Sequence, residues 1–203
     1  MMFTGKPKPI NWFTDKEVFN MNTKTKDMAL IAVMTAVIAV LAPISLPIVG
    51  EVPISLATLA VMLGGVVLGS KKGAAAAALY LVLGAIGIPV FAGYSSGAGI
   101  LFGMTGGYLF GYIPLAYISG LFYEKAKTNK TVAAFIGMIV GTVVLYILGT
   151  IWFIAVTKMN LAGAMMACVV PFLPGDLLKM VVVAAIAPQL AKVPALRNAN
   201  ATA

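Results

Sequence analysis

Long apolar runs separated by short polar breaks organise this chain. A helix needs roughly 20 mainly apolar residues to cross the hydrocarbon of a bilayer. Six runs approach that length, at about 27–46, 55–69, 73–88, 101–123, 131–157 and 170–189. The second and third are short and joined only by Ser70-Lys71-Lys72. The pattern predicts an all-α integral membrane protein of six transmembrane helices. A basic tail (1–26) precedes the membrane domain (27–189), and a second tail (190–203) follows it.

The polar breaks set the orientation. The N-terminal tail, Lys71, Lys72, Lys125, Lys127, Lys130, Lys192 and Arg197 fall on one side. The other side holds the connections 43–53, 88–100 and 158–169, with Lys158 as its single base. Lysine and arginine collect on the cytoplasmic side, so both termini are expected there. The tail has no long apolar core and does not read as a cleaved signal. Trp12 and Phe13 are placed at the cytoplasmic lipid interface.

Composition strengthens this reading. Hydrophobic residues are 61% of the chain and charged residues 10%, against about 25% charged in soluble domains. Mean hydropathy is +1.02. The net charge of +8 follows from the membrane topology and does not imply a nucleic-acid partner. A single cysteine, Cys168, rules out an intrachain disulfide and is assigned to packing.

The outer connections are unusual. Pro43, Pro47, Gly50 and Pro53 interrupt the first, and Gly87, Pro89, Gly93, Gly97 and Gly99 crowd the second. Irregular backbone at membrane depth survives only when buried in protein or lining a cavity. These segments are expected to re-enter and cover a pocket near the outer face, although turn chemistry in an exposed loop has the same composition.

The charged pair Asp176 and Lys179 in Pro171-Phe-Leu-Pro-Gly-Asp-Leu-Leu-Lys179 is the leading chemical feature. Charge inside a membrane segment costs about 2.5–3.5 kcal/mol at a helix centre and marks function. A spacing of three puts both groups on one helix face, where they offer a ligand an acceptor and a donor. An internal ion pair is the structural alternative.

Several enzyme signals fail. Gly93-Tyr-Ser-Ser-Gly97 fits the pattern of a serine nucleophile elbow, but the chain has no histidine. That removes the usual serine base, His metal sites and His-ligated haem. An aspartyl protease needs two carboxylates sharing a site; Asp176 is the only Asp inside an expected span, and Glu51 lies in an outer loop. There is no P-loop motif. Gly103-Met-Thr-Gly-Gly107 carries no lysine and is read as close helix packing. No inverted repeat relates the two halves. A pocket without a motor points to the binding subunit of something larger.

On the first run, Ala32 and Ala36 form a small-xxx-small pair that admits close approach of another helix.

Taken together, four ordered segments resemble the BioY family of biotin-specific substrate-binding (S) components of energy-coupling factor (ECF) transporters. They are Val52-Pro-Ile-Ser-Leu-Ala-Thr-Leu-Ala60, Gly87-Ile-Pro-Val-Phe-Ala-Gly93, Gly103-Met-Thr-Gly-Gly-Tyr-Leu-Phe-Gly111 and the Pro171–Lys179 segment. The resemblance implies a protein of the prokaryotic plasma membrane that captures biotin from outside. It implies docking on a transmembrane coupling subunit, EcfT, joined to two cytoplasmic ATPases, and toppling of the whole subunit to deliver the vitamin. No cofactor is implied. Asp176 and Lys179 take the place of the family's ligand-binding Asp and Lys, and Ala32 and Ala36 that of its coupling surface.

The chain departs from the pattern at two places. Ala57 stands where many relatives carry Gln, and the outer loop has Tyr94, Ser95 and Ser96 where some carry Arg. Backbone N–H groups around Gly93–Gly97 with the serine hydroxyls, or Lys158, are candidates to receive a ligand carboxylate instead. Thr58 is a further polar candidate, and Phe91 and Tyr94 are expected to cover apolar parts of the ligand. Tyr108 and Trp152 stay ambiguous. A related hydrophobic carboxylate (lipoate or a biotin precursor) is an alternative ligand, and a membrane enzyme using Ser95 or Ser96 a third reading.

Overall fold

The computed structural model describes residues 23–46 and 54–190. Trp12, Phe13, Glu51, Val52, Pro53, Lys192 and Arg197 lie outside the described residues, as do most of the two tails. Among the described residues eight α-helices run in chain order, α1 (Thr23–Leu41), α2 (Ala57–Leu68), α3 (Ser70–Ala85), α4 (Ala98–Leu101), α5 (Gly106–Lys125), α6 (Lys130–Thr157), α7 (Leu161–Cys168) and α8 (Leu173–Leu190), with a 3-10 turn at Ala92–Tyr94 between α3 and α4. Two-residue strands β1 (Ser45–Leu46) and β2 (Ile54–Ser55) pair antiparallel between α1 and α2. The described residues are otherwise helices and their connections, as the hydrophobic pattern predicts.

Helix α5 is the hub. It packs along α6 and against the α2–α3 hairpin, α1 covers that hairpin, and α8 bridges α2 and α6. Small residues allow this closeness. At the hairpin corner Gly69 adopts φ 89°, a conformation that L side chains avoid. A Cβ on Gly120 of α5 would stand 2.5 Å from the Ser70 nitrogen, so only glycine lets α5 reach the corner. Glu124, one turn further along α5, caps α3 by accepting from the Ser70 N–H (2.6 Å) and hydroxyl (2.8 Å). Lys72 joins α3 to α1 through Asp27 at 2.8 Å.

Helices α6 and α8 are each long and apolar enough to cross a membrane. The 12 residues of α2 rise only about 18 Å at 1.5 Å each. The chain reaches it through the β1–β2 ladder, which leaves depth for a cavity above its first turn.

Local chemistry moved several boundaries. The first apolar run was expected to stay helical to residue 46, but α1 ends at Leu41. Pro43 disfavours helix in the residue before it, and residues 45–46 pair with 54–55 instead. The run 101–123 is broken: α4 ends at Leu101 and α5 starts at Gly106. A Cβ at Gly106 would collide with the Leu101 carbonyl, and Trp152 Nε1 donates to the Gly103 carbonyl at 2.9 Å. Gly107 gives room to the Trp152 side chain, so this glycine stretch packs helices as expected. The 158–169 connection holds a helix of its own, α7, capped by Asn160, which accepts from the Gly163 N–H at 2.8 Å.

The glycine-rich loop between α3 and α4 folds inward. Gly93 N–H donates to the Pro43 carbonyl (3.2 Å) and Gly97 N–H to the Gly84 carbonyl (2.7 Å). Phe91 is buried against Gly84 and meets the Tyr80 ring edge to face, with centroids 5.6 Å apart. Tyr80 donates to the Val90 carbonyl at 3.2 Å, fixing the loop from below.

Candidate functional site

Helix α8 opens with Pro174 in its first turn, where a missing N–H is harmless, and Asp176 N–H donates to the Phe172 carbonyl at 2.8 Å. Asp176 therefore lies in the first turn of α8 rather than at the centre of a span. The positive end of the helix dipole favours a carboxylate there. Lys179 follows one turn later on the same face, and its Nζ meets Asp176 Oδ1 at 2.9 Å.

The pair is 3% and 7% exposed, so its hydrogen bonds decide whether it is tolerable. Lys179 Nζ also donates to the Ser55 carbonyl (2.8 Å) and to Thr58 Oγ1 (2.9 Å). Thr58 in turn donates to Asp176 Oδ1 at 3.1 Å, and Tyr146 of α6 donates to Asp176 Oδ2 at 2.6 Å. All three ammonium protons are engaged. A carboxylate has about four acceptor positions, and three are taken, which leaves one on Oδ2.

A small chamber of about 40 Å³ borders this cluster, lined by Tyr108, Tyr112, Phe172 and the charged pair among others. A larger cavity of about 220 Å³ adjoins it, sharing Ser55, Tyr108 and Tyr112 as walls. Ala57, Tyr80, Phe91, Ala92, Ser95 and Ile100 complete most of its lining. The arrangement is a mostly apolar cleft with a fixed polar end, the usual build of a small-molecule site.

The structure brings Asp176, Lys179 and Thr58 together, and puts Phe91 and Ser95 on the cavity wall. Gly93, Tyr94 and Ser96 do not line it. Tyr94, at a positive φ of 59°, is 70% exposed. The expected anion nest is largely occupied: Gly93, Ser95 and Gly97 N–H groups donate to protein carbonyls, and Ser95 Oγ donates to the Ala92 carbonyl at 2.8 Å. The same bond engages Ser95 with a carbonyl rather than a base. Lys158 caps α6 in a left-handed conformation and is exposed, outside both cavities. Ala32 and Ala36 are exposed on α1, while Met34, Thr35 and Ile38 on its other face are buried.

Tyr146 escaped the sequence reading. Its signal was a tyrosine in the middle of a 28-residue apolar helix, away from the interfacial belt where such residues collect. A buried tyrosine hydroxyl needs a partner.

Comparison with known proteins places this architecture. The BioY family profile matches residues 15–195. The chain is 40% identical over 162 residues to "Biotin transporter BioY2" of Lactococcus lactis subsp. cremoris, covering 80% of this chain and 88% of that one. It is 41% identical over 160 residues to "Biotin transporter BioY" of Thermotoga maritima (79% and 92% covered). It is 38% identical over 178 residues to the protein of that name in Rhodobacter capsulatus (82% and 94% covered). A crystal structure of the S-component for biotin from an ECF-type ABC transporter superposes with a TM-score of 0.80 at 29% identity, covering 87% of this chain and 96% of that one. With its profile matched over most of its length, and its fold shared with a biotin S-component, this chain belongs to the BioY family.

Proposed function

We propose that the chain is the membrane-embedded biotin-binding subunit of an ECF-type transporter. The observation that carries this reading is the Asp176–Lys179–Thr58 cluster at the polar end of an apolar cleft. Biotin's ureido ring presents two N–H donors and one carbonyl. The remaining Oδ2 acceptor of Asp176 suits an N–H. The carbonyl replaces one of the present partners of Lys179, since that ammonium has no proton to spare. The thiophane ring and alkyl chain then extend into the larger cavity beneath Phe91.

In this reading α1, α2, α3, α5, α6 and α8 are the six spans, with the domain 27–189 between cytoplasmic tails 1–26 and 190–203. The cavity faces outward under the loop 88–100, in the plasma membrane of a prokaryote; most of the 43–53 connection lies outside the described residues. The exposed Ala32–Ala36 face of α1 receives the coupling subunit EcfT, two cytoplasmic ATPases supply the work, and toppling carries the pocket inward. The relatives named biotin transporters and the matching S-component support these assignments.

Equilibrium binding of labelled biotin to the purified chain, with desthiobiotin and lipoate as competitors, tests the proposal. Tight saturable binding that only close biotin analogues displace supports it; no binding by folded protein refutes it. One observation favours a related hydrophobic carboxylate as a second reading. Ala57 lines the cavity where many relatives carry Gln, and the loop beside it supplies no guanidinium and few free N–H groups for a valerate. Displacement by lipoate at concentrations matching biotin would select that ligand class.

A further inference from the structure

We infer that Tyr146 is a positioning residue that orients Asp176 and closes the wall between the polar chamber and the membrane-facing side of the protein. Tyr146 and Asp176 line the small chamber on one side. On the other they line a groove of about 420 Å³ between α6 and α8, whose remaining walls include Ile139, Val143, Leu173 and Leu177. Val143, Leu173 and Leu177 are half exposed, so this groove opens on the apolar outer surface of the bundle. The wall at this point is one hydrogen bond thick: Tyr146 O–H to Asp176 Oδ2, 2.6 Å.

An ionised carboxylate one layer from hydrocarbon needs donors on every side. Thr58 and Lys179 serve Oδ1 from the α2 and α8 sides. From α6 the donor is Tyr146. Thr142, one turn away on the same helix and also in the groove, does not stand in for it: its hydroxyl has no hydrogen-bond partner among the described residues. Short charge-assisted bonds of this kind are about twice as strong as neutral ones. By fixing the carboxylate rotamer, Tyr146 also fixes where the last acceptor position on Oδ2 points.

The inference rests on the biotin-binding reading for its affinity arm and is independent of it for the other. Full-length Tyr146→Phe protein keeps the ring and loses only the hydroxyl. Labelled-biotin affinity should fall tenfold or more. Modification of Asp176 by a membrane-soluble carbodiimide, followed by mass spectrometry, should become several-fold faster than in wild type, with Asp176→Asn as the unreactive control. If wild type binds no biotin, the ligand assignment fails, and the carbodiimide rates alone decide the wall. Unchanged carbodiimide reactivity in Tyr146→Phe overturns the proposal whatever happens to affinity. So does unchanged affinity in a background where wild type binds. If Tyr146→Phe fails to fold, adding Asp176→Leu/Lys179→Met to it should recover folding, since both charges are then gone and no carboxylate needs the lost donor. A combined variant that also fails assigns the tyrosine to packing and overturns the proposal.

Discussion

Replacing Lys179 by Met tests the buried cluster most directly. The methionine keeps the stem volume and removes the ammonium, which is 7% exposed and bonded to Ser55 O, Thr58 Oγ1 and Asp176 Oδ1 at 2.8–2.9 Å. Asp176 then keeps only Thr58 and Tyr146 as donors. A buried charge stripped of its partner costs about 3–5 kcal/mol. Removing both charges, as in Asp176→Leu/Lys179→Met, leaves no unpaired ion, and such exchanges are often neutral or stabilising by about 1–4 kcal/mol. Denaturant or thermal unfolding of the detergent-purified variants should therefore rank the single variant well below wild type and the double variant near or above it. Biotin binding should be absent from both. The contrast separates folding from recognition. A single variant as stable as wild type would show that the ammonium does not compensate Asp176. A stable double variant that binds biotin normally would refute a ligand role for the pair.

Three further outcomes are expected. Ala32→Leu/Ala36→Leu adds bulk to an exposed face of α1; stability should move by less than about 0.5 kcal/mol and biotin binding should persist, while co-purification with the coupling subunit is lost. Gly84→Ala drives a methyl into the Phe91 ring; a cost of about 1–3 kcal/mol should appear in unfolding, with faster biotin release in stopped-flow exchange because the loop is displaced. Tyr94→Ala trims a side chain that is 70% exposed and should leave affinity within about twofold; a large loss would place Tyr94 over the ligand after all.

The readable parts of this fold were those written in spacing. Asp176 and Lys179, three apart, share one helix face, and Ala32 and Ala36, four apart, share an exposed one. Thr58 was legible as a polar residue in an apolar run, though its two charged partners lie 118 and 121 positions away. Tyr146 was not legible, because its role exists only where α6 crosses α8. Tyr94 was expected to cover the ligand and stands 70% exposed, a placement that composition does not encode. The break before α5 was hidden because Leu101, Phe102, Gly106 and Gly107 are all compatible with a continuous apolar helix. At the break the Trp152 side chain packs on Gly107 and bonds to Gly103, a contact from α6 that local sequence does not announce.

That tryptophan has a practical consequence. The chain carries two, Trp12 and Trp152. The indole N–H of Trp152 is tied to the Gly103 carbonyl at the α4–α5 corner, and its ring lies 5.9 Å from that of Phe110. Ile100 and Thr105, on either side of the same corner, belong to the cavity lining. In a Trp12→Phe background the protein thus holds a single tryptophan, anchored at a corner of its own cavity and selectively excited at the red edge of the aromatic band. Its emission wavelength and quenching would report movements of that corner without any attached dye.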